Sequence, residues 1–324
     1  MFRSVLKAAI SVACAIPALA AAQGANFPDR TVRLIVAYPP GGSTDTAARL
    51  VAEHLTRSLG QTVVVENKAG AGGTIGAGYV AKAPPDGYTL LFGSAAELSI
   101  APVTRLNLPF DTLRDFEPIT LVGLVPFLLV TNPSVPAKNL KELITWIKAN
   151  PGKVNYSSFG NNTTNHMVGE SFKSAAGVEA AHISYKGSAP SITDLLGGQV
   201  QYTFDTITAT LPHVRSGGLR AIAIALPERS TLVPDVPTLS ESGLPGFTGG
   251  TWFGMLAPAG TPTVIVDKIS REVAAVLKSD AMRKEFAEKG IERGGLTPKE
   301  FGGFIKDESG RWTDLAAKIG LKPQ

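Results

Sequence analysis

Cysteine is nearly absent: Cys14 is the only one among 324 residues, and it lies in a segment that reads as removable. Arg3 and Lys7 precede or flank an apolar run from Ala8 to Leu19, and small residues continue to Ala22. A basic start, a short apolar stretch and Ala18-Leu19-Ala20 or Ala20-Ala21-Ala22 as cleavage motif predict a secretory signal over 1–22. The run falls short of the about 20 residues that a bilayer requires, and Pro17 argues against a buried helix. Ser11, Val12 and Ala13 supply no leucine three residues ahead of Cys14, which disfavours lipid attachment there. A mature chain without cysteine has no disulfide, no thiolate nucleophile and no cysteine metal site. Long hydrophobic runs are also missing from the remaining chain, and none replaces the signal as a membrane span.

An excess of charge is lacking too. The chain carries 31 basic and 27 acidic residues. Loss of Arg3 and Lys7 with the signal leaves 29 against 27, a surplus of +2. With no Lys/Arg cluster, that excludes a nucleic-acid footprint. Histidine is scarce: His54, His166, His182 and His213 are isolated, with no H-E-x-x-H and no paired ligand spacing, so no metal site is expected. No G-x-S-x-G elbow and no P-loop occur. Gly70-Ala71-Gly72-Gly73-Thr74-Ile75-Gly76 follows a strand but has the wrong spacing for dinucleotide binding, and no acidic residue closes a second strand at the required distance. No cofactor is expected.

What is present is an alternation of strand and helix signals, which predicts an α/β fold with mostly parallel sheets. Strands are expected at Val32–Ala37, Thr62–Glu66 and Tyr88–Phe92, with a helix carrying Ala47, Leu50, Val51 and Leu55 on one face. Ile119–Thr131 is an apolar stretch long enough to cross between lobes. A helix follows with Asn139 as cap and Glu142 completing a capping box. From Val154 a second strand–loop–helix series begins, with strands at Ala181–Tyr185, Gln201–Phe204 and Leu219–Ala225. Thr251–Leu256 reads as a returning crossing. Pro262 is expected at the first position of a helix whose stripe is Ile265, Ile269, Val273, Val276 and Leu277. Thr297 and Glu300 form a capping box for the last helix.

The element that could carry chemistry is the strand–Gly loop–helix unit. A helix N-terminus presents unpaired N–H groups and the positive dipole end, which hold a carboxylate or phosphate without a cationic side chain. Gly41-Gly42-Ser43-Thr44-Asp45 is one such unit. Ser158-Phe159-Gly160-Asn161-Asn162-Thr163-Thr164 and Tyr185-Lys186-Gly187-Ser188-Ala189-Pro190 are others. Ordinary βα turns need the same residues, so pattern alone leaves both readings open. His54 reads as a surface residue, and His166, just after a polar loop, as a ligand contact or a cap. Asp45 and Asp205 could pair in acid/base chemistry, though Asp45 in a first helical turn reads more simply as a cap. No catalytic residue is assigned.

In order along the chain, these segments resemble the Bug family, the receptors of tripartite tricarboxylate transporters. The resemblance runs from Phe27-Pro28 and Val32-Arg33-Leu34-Ile35-Val36 through Pro39-Pro40-Gly41-Gly42-Ser43-Thr44-Asp45 and Glu66-Asn67-Lys68-Ala69-Gly70-Ala71-Gly72-Gly73. It continues in Ala83-Pro84-Pro85-Asp86-Gly87-Tyr88, Tyr185-Lys186-Gly187-Ser188-Ala189-Pro190, Asp194-Leu195-Leu196-Gly197-Gly198-Gln199, Asp235-Val236-Pro237-Thr238 and Trp252-Phe253-Gly254-Met255-Leu256-Ala257-Pro258. It implies a two-lobed type II periplasmic-binding fold: two Rossmann-like domains joined by two hinge-crossing strands. The lobes would comprise 23–124 with 248–324, and 125–247.

It further implies a non-enzymatic, monomeric periplasmic receptor that closes on a small carboxylate and delivers it to membrane subunits of a tripartite transporter. The ligands the resemblance implies are di- or tricarboxylates, aromatic carboxylates or amino acids. An orphan sensor and a secreted hydrolase are the alternatives. The carboxylate grip would comprise Gly42, Ser43, Thr44 and Asp45 on one side and Tyr185, Lys186, Gly187, Ser188 and Ala189 on the other. Tyr38, Ser94, Ala95, Ser158, Asn161, Thr163, His166 and Asp205 would read the rest of the ligand. Tyr38 stands where many relatives carry Phe, and Ala95-Ala96-Glu97 replaces a stretch often richer in Ser, Asn and His. Glu97 could select a donor-bearing ligand, but facing solvent is the simpler expectation.

Overall fold

The computed structural model describes residues 27–318, 320, 321 and 323; the expected signal, 1–22, lies outside them. The chain enters β1 (Val32–Val36), where only Arg33 is not fully buried. Helix α1 (Ser43–Leu59) then covers it with Ala47, Ala48, Val51, Ala52 and Leu55. That apolar stripe, at three- and four-residue spacing, is what makes the segment helical in this context. β2 (Val63–Asn67), α2 (Thr74–Ala81) and β3 (Thr89–Ser94) follow. A wide turn at Ala96–Ile100 leads into the short α3 (Ala101–Thr104). β1 pairs in parallel with both β2 and β3.

β4 (Phe116–Thr131) is 16 residues long and belongs to two sheets. Its partner across Phe116–Pro126 is β9 (Gly250–Pro258). Across Phe127–Thr131 it pairs instead with β7 (Tyr202–Thr206) and β8 (Arg220–Ile224). Between these lie α4 (Leu140–Ala149), β5 (Asn155–Ser158), α5 (Thr164–Ala176), β6 (Ala181–Ser184), α6 (Ser188–Leu196) and α7 (Ile207–Arg215). β5 is parallel to both β6 and β7. Each sheet therefore repeats one pattern, a first strand flanked in parallel by the next two: β2-β1-β3 in one, β6-β5-β7 in the other.

The return crossing is adjacent to the first. Phe127 N–H donates to Gly249 O, and the next residue, Gly250, already pairs with Pro126. The crossing thus falls at Gly249–Gly250, just ahead of the expected Thr251–Leu256. The chain then forms α8 (Thr263–Lys278), α9 (Asp280–Glu288), β10 (Glu292–Arg293) and α10 (Pro298–Lys318). Pro262 sits one position before α8 rather than inside its first turn.

Both expected capping boxes form: Asn139 accepts from Glu142 N–H at 2.9 Å, and Glu300 accepts from Thr297 N–H at 2.9 Å. α10 bridges the two cores. Phe301 and Ile305 pack with Leu121 and Trp252 of the first sheet, whereas Trp312 and Ala316 join the core of the second with Leu143, Phe172 and Phe204. Each such aliphatic or aromatic side chain contributes roughly 1.5–3 kcal/mol by burial. A third tie, besides the two strands, therefore spans the hinge.

Candidate ligand-binding site

In open α/β sheets ligands bind beyond the carboxyl ends of strands where neighbouring connections diverge. Both sheets have such a point, at the ends of β1 and β5, and the two ends face each other across one cleft. Its walls are Tyr38, Pro39, Gly42, Ser43 and Thr44 after β1, with Ser94 and Ala96 at the end of β3. Opposite stand Phe159 and Thr164 after β5, with Ser188 and Ala189 after β6, while Thr251 and Phe253 of β9 form the floor. The lobes are shut on one another, and the cleft measures about 20 Å³.

Three helices begin on this cleft. Ser43 and Thr44 open α1, Thr164 opens α5, and Ser188 and Ala189 open α6. Among the described residues, the N–H groups of these five donate no hydrogen bond. Each N-terminus carries roughly half a positive charge from aligned peptides. Three of them converging on one small cleft form a candidate anion site that needs no cationic side chain. Pro190 at the third position of α6 leaves that helix two free first-turn donors instead of three.

Gly187 lets the two grips meet. Its φ of +130° is hostile to a side chain, and an added Cβ would lie 2.9 Å from Pro39 Cδ. Asp45 shapes the loop from behind. Its Oδ2 accepts from Gly41 N–H at 3.0 Å and Arg49 Nε at 2.9 Å, and its Oδ1 from Arg49 Nη2 and Asn67 Nδ2, both at 2.9 Å. Burial opposes its ionisation, but the Arg49, Gly41 and Asn67 bonds outweigh it and hold the carboxyl below its ordinary range. The residue thus has both oxygens engaged in holding the loop, and it is not among the residues that line the cleft.

Two buried carboxyls flank the cleft with no cationic hydrogen-bond or ion-pair partner among the described residues. Asp205, at the end of β7, accepts from Ser188 Oγ at 2.7 Å and from Thr206 N–H at 2.6 Å. Burial pushes it up to about 7 against these bonds. Ser188 therefore offers a ligand its backbone N–H while its hydroxyl proton is committed to Asp205. Glu97 is also fully buried, which corrects the expectation that it faces solvent. The wide turn at Ala96–Ile100 folds it back so that Oε1 accepts from Ser94 N–H at 2.7 Å. Its Oε2 accepts from Ser94 Oγ at 2.6 Å and the Tyr38 hydroxyl at 3.0 Å. Burial raises it to about 7. Gly73, at φ +95°, has no room for a Cβ, which would lie 2.8 Å from this carboxylate.

Other expected site residues are placed elsewhere. Ala95 packs in the first core, and Ala96 takes the wall position. Ser158 is fully buried, bonded to His182 Nε2 at 2.5 Å and to Gly160 O at 3.0 Å. Thr163 turns its hydroxyl to Gly160 O at 2.7 Å, shaping the turn before α5. His166 accepts from Asn162 N–H at 3.1 Å and stacks on His182 with centroids 4.1 Å apart. Ser158, Thr163 and His166 thus bond within the loop, and none of them lines the cleft. Among the described residues, the Ser158–His182 contact has no acidic hydrogen-bond partner on the ring, and Ser158 is fully buried, so it lacks the arrangement of an activated nucleophile. Burial lowers His182 to about 4, with a further push from His166, and burial also lowers His166. His54 is mostly covered, 3.5 Å from Glu285.

Tyr185, Lys186 and Asn161 line a neighbouring cavity of about 230 Å³, which shares Tyr38 and Phe159 with the cleft. A groove of about 820 Å³ lies along the hinge, walled by Pro126, Trp252, Phe304 and Trp312. Besides Ala96, the cleft residues outside the expected set are Pro39, Phe159, Thr164, Thr251 and Phe253. Pro39, Phe159 and Thr164 lie in loops that the sequence marked, whereas Thr251 and Phe253 read only as part of the crossing strand.

The family described as "Tripartite tricarboxylate transporter family receptor" matches residues 47–321. Protein BugT of Bordetella pertussis is 41% identical over 319 residues, 98% of each chain. A solved R. palustris protein with adipate superposes with a TM-score of 0.90 at 36% identity, over 92% of this chain and 100% of that one. MatC from Rhodopseudomonas palustris, with bound malate, gives 0.84 at 34% identity, over 89% and 99%. The architecture is the type II periplasmic-binding fold. A matching family profile across most of the sequence and a near full-length relative lead to one conclusion: the chain belongs to the Bug family of tripartite tricarboxylate transporter receptors.

Proposed function

We propose that this protein captures a small carboxylate in the periplasm by closing its two lobes, and delivers it to the membrane subunits of a tripartite tricarboxylate-type transporter. The lobes are 23–124 with 248–324, and 125–247, and the receptor acts as a monomer. The observation that carries the reading is the convergence of three helix N-termini, with free N–H groups on Ser43, Thr44, Thr164, Ser188 and Ala189, on one cleft. A carboxylate there gains hydrogen bonds from both lobes at once, so the closed form is favoured only when the anion is present. Burying that charge without such partners would be costly.

Relatives solved with adipate and malate support the carboxylate class. The N-terminal segment supports export and periplasmic residence. With acceptors and donors arranged for binding and no activated nucleophile at the cleft, the reading is a receptor that releases its ligand unchanged.

The test is a thermal-shift screen of unfolded, ligand-stripped and refolded protein. The panel holds aliphatic mono-, di- and tricarboxylates, aromatic acids, amino acids, sugars and phosphates. A ligand at about 100 times its Kd adds roughly 2.7 kcal/mol and raises Tm by several degrees. Hits within one carboxylate class support the proposal. Hits confined to sugars, or silence across the panel, overturn it, silence favouring a sensor without a small ligand.

A further inference from the structure

A hydroxyl has one proton, and the group that takes that proton decides what the hydroxyl can offer a ligand. Tyr38, Ser94 and Ser188 line the cleft beside the helix N-termini. Ser94 Oγ donates to Glu97 Oε2 at 2.6 Å. The Tyr38 hydroxyl donates to the same oxygen at 3.0 Å, and its other acceptor is Gly72 O at 3.2 Å. Ser188 Oγ donates to Asp205 Oδ2 at 2.7 Å. Each proton is committed to the protein, so each oxygen can offer the cleft only lone pairs.

Glu97 imposes that polarity on the β3 side. It is fully buried, and both of its oxygens accept: Oε1 from Ser94 N–H at 2.7 Å, Oε2 from the two hydroxyls. Gly73 makes room for it, since a Cβ there would stand 2.8 Å from Oε2. Its carboxyl thus lies one hydrogen bond behind the wall, where it favours a donor in front and opposes an acceptor. The cleft, about 20 Å³, holds roughly one or two water-sized spheres. The N–H groups of Ser43, Thr44 and Thr164 and the Tyr38–Ser94 wall share that one small space. A carboxylate seated on the helix N-termini therefore brings the substituent of its neighbouring carbon against Tyr38 and Ser94.

We propose that Glu97 sets the hydrogen-bond polarity of the ligand: acting through Ser94 and Tyr38, it selects carboxylates whose adjacent carbon carries a donor, a hydroxyl or an ammonium, over those carrying a carbonyl there. The inference rests on the receptor reading above and narrows its ligand class. Glu97 is a positioning residue, because the contacts to ligand are made by the two hydroxyl oxygens. Glu97→Gln reverses the wall. The Gln carbonyl can keep Ser94 N–H, while its amide donates to Ser94 Oγ and the Tyr38 oxygen and releases both hydroxyl protons to the cleft.

Calorimetry on ligand-stripped protein at pH 8 tests this; Glu97, raised to about 7, is mostly ionised there. Propionate, lactate, alanine and pyruvate form one series, and glutarate, 2-hydroxyglutarate, glutamate and 2-oxoglutarate a second. In at least one series the wild type binds the hydroxy or the amino acid about tenfold or more tighter than the oxo acid, and the tighter of the two identifies the donor. Glu97→Gln shrinks that ratio about tenfold, mainly by strengthening the oxo acid. Tyr38→Phe and Ser94→Ala each remove one acceptor and shrink it in part, and the double variant removes it. An oxo acid bound as tightly as its hydroxy and amino counterparts in both wild-type series overturns the proposal. So does a ratio that survives in Glu97→Gln with its unliganded Tm unchanged, or two silent series in a protein that binds another carboxylate of the thermal-shift panel. Should Glu97→Gln not fold, the Tyr38→Phe, Ser94→Ala double variant decides: a lost ratio supports the proposal and a kept one overturns it. If no carboxylate of the panel binds the wild type, the receptor reading itself fails, an outcome distinct from a lost preference.

Discussion

Replacing Asp205 by Asn should make the protein more stable at pH 8 and leave it little changed at pH 4. The carboxyl is fully buried and raised from 3.8 to about 7. The folded state therefore keeps the proton to a higher pH than the unfolded chain does. The stability associated with that proton is complete below about pH 3.8, falls as pH rises, and is lost above about pH 7. At 1.36 kcal/mol per pH unit, the full loss is about 4 kcal/mol. Asn is neutral throughout. Its carbonyl can still accept from Thr206 N–H, and its amide can donate to Ser188 Oγ. Imperfect replacement of those bonds costs about 1 kcal/mol.

The expected gain at pH 8 is thus about 2–3 kcal/mol, several degrees of Tm for a chain of this size. The assay is thermal unfolding of both proteins from pH 4 to pH 8, since every other titrating group is common to the pair and cancels. A constant difference in Tm across the range, or a loss at pH 8, would refute the reasoning. The same change has a functional consequence. A carboxylate bound beside Ser188 disfavours ionised Asp205, so wild-type affinity falls above pH 7 and binding takes up a proton. Asp205→Asn should flatten both.

Gly187→Ala should cost at least tenfold in carboxylate affinity, because its Cβ meets Pro39 Cδ at 2.9 Å and blocks full closure; calorimetry against the unliganded Tm checks that the fold survives. Gly42→Val should do the same by filling the cleft, since a Cβ there already stands 3.7 Å from Ser188 Cβ. Asp45→Ala leaves Gly41 N–H, Arg49 and Asn67 without their acceptor and should destabilise by about 2–3 kcal/mol in urea unfolding. His182 is held neutral, so it contributes stability above about pH 6.5 that is lost as pH falls toward 4. His182→Gln should flatten that acid limb of the Tm profile, and an unaltered limb would assign it to other groups.

The sequence spoke most clearly where local chemistry decides structure. Asn139 with Glu142 and Thr297 with Glu300 capped the helices they were expected to cap, because each box is made within four residues. The apolar length of Ile119–Thr131 announced a strand that serves two sheets, and Ser43, Thr44, Ser188 and Ala189 do meet across the cleft. What stayed hidden depends on contacts distant in sequence. Glu97 looks like a surface acid until the Ala96–Ile100 turn buries it against Ser94 and Tyr38. Ala95 and Ala96 are indistinguishable by type, and only the end of β3 at Ser94 decides which reaches the wall. Ser158 and His182 lie on neighbouring strands, where His182 pairs with Tyr156 and reaches Ser158 diagonally, so both read as separate polar residues beforehand.

The central claim is that an anion is held by helix N-termini drawn together from both lobes. Its most direct test is calorimetric titration of ligand-stripped protein with each carboxylate hit and with the primary amide of the same shape. The account predicts saturable binding of the carboxylate and at least a hundredfold weaker binding of the neutral amide, since about 3 kcal/mol of charge-assisted hydrogen bonding is lost. Equal affinity for acid and amide would contradict it.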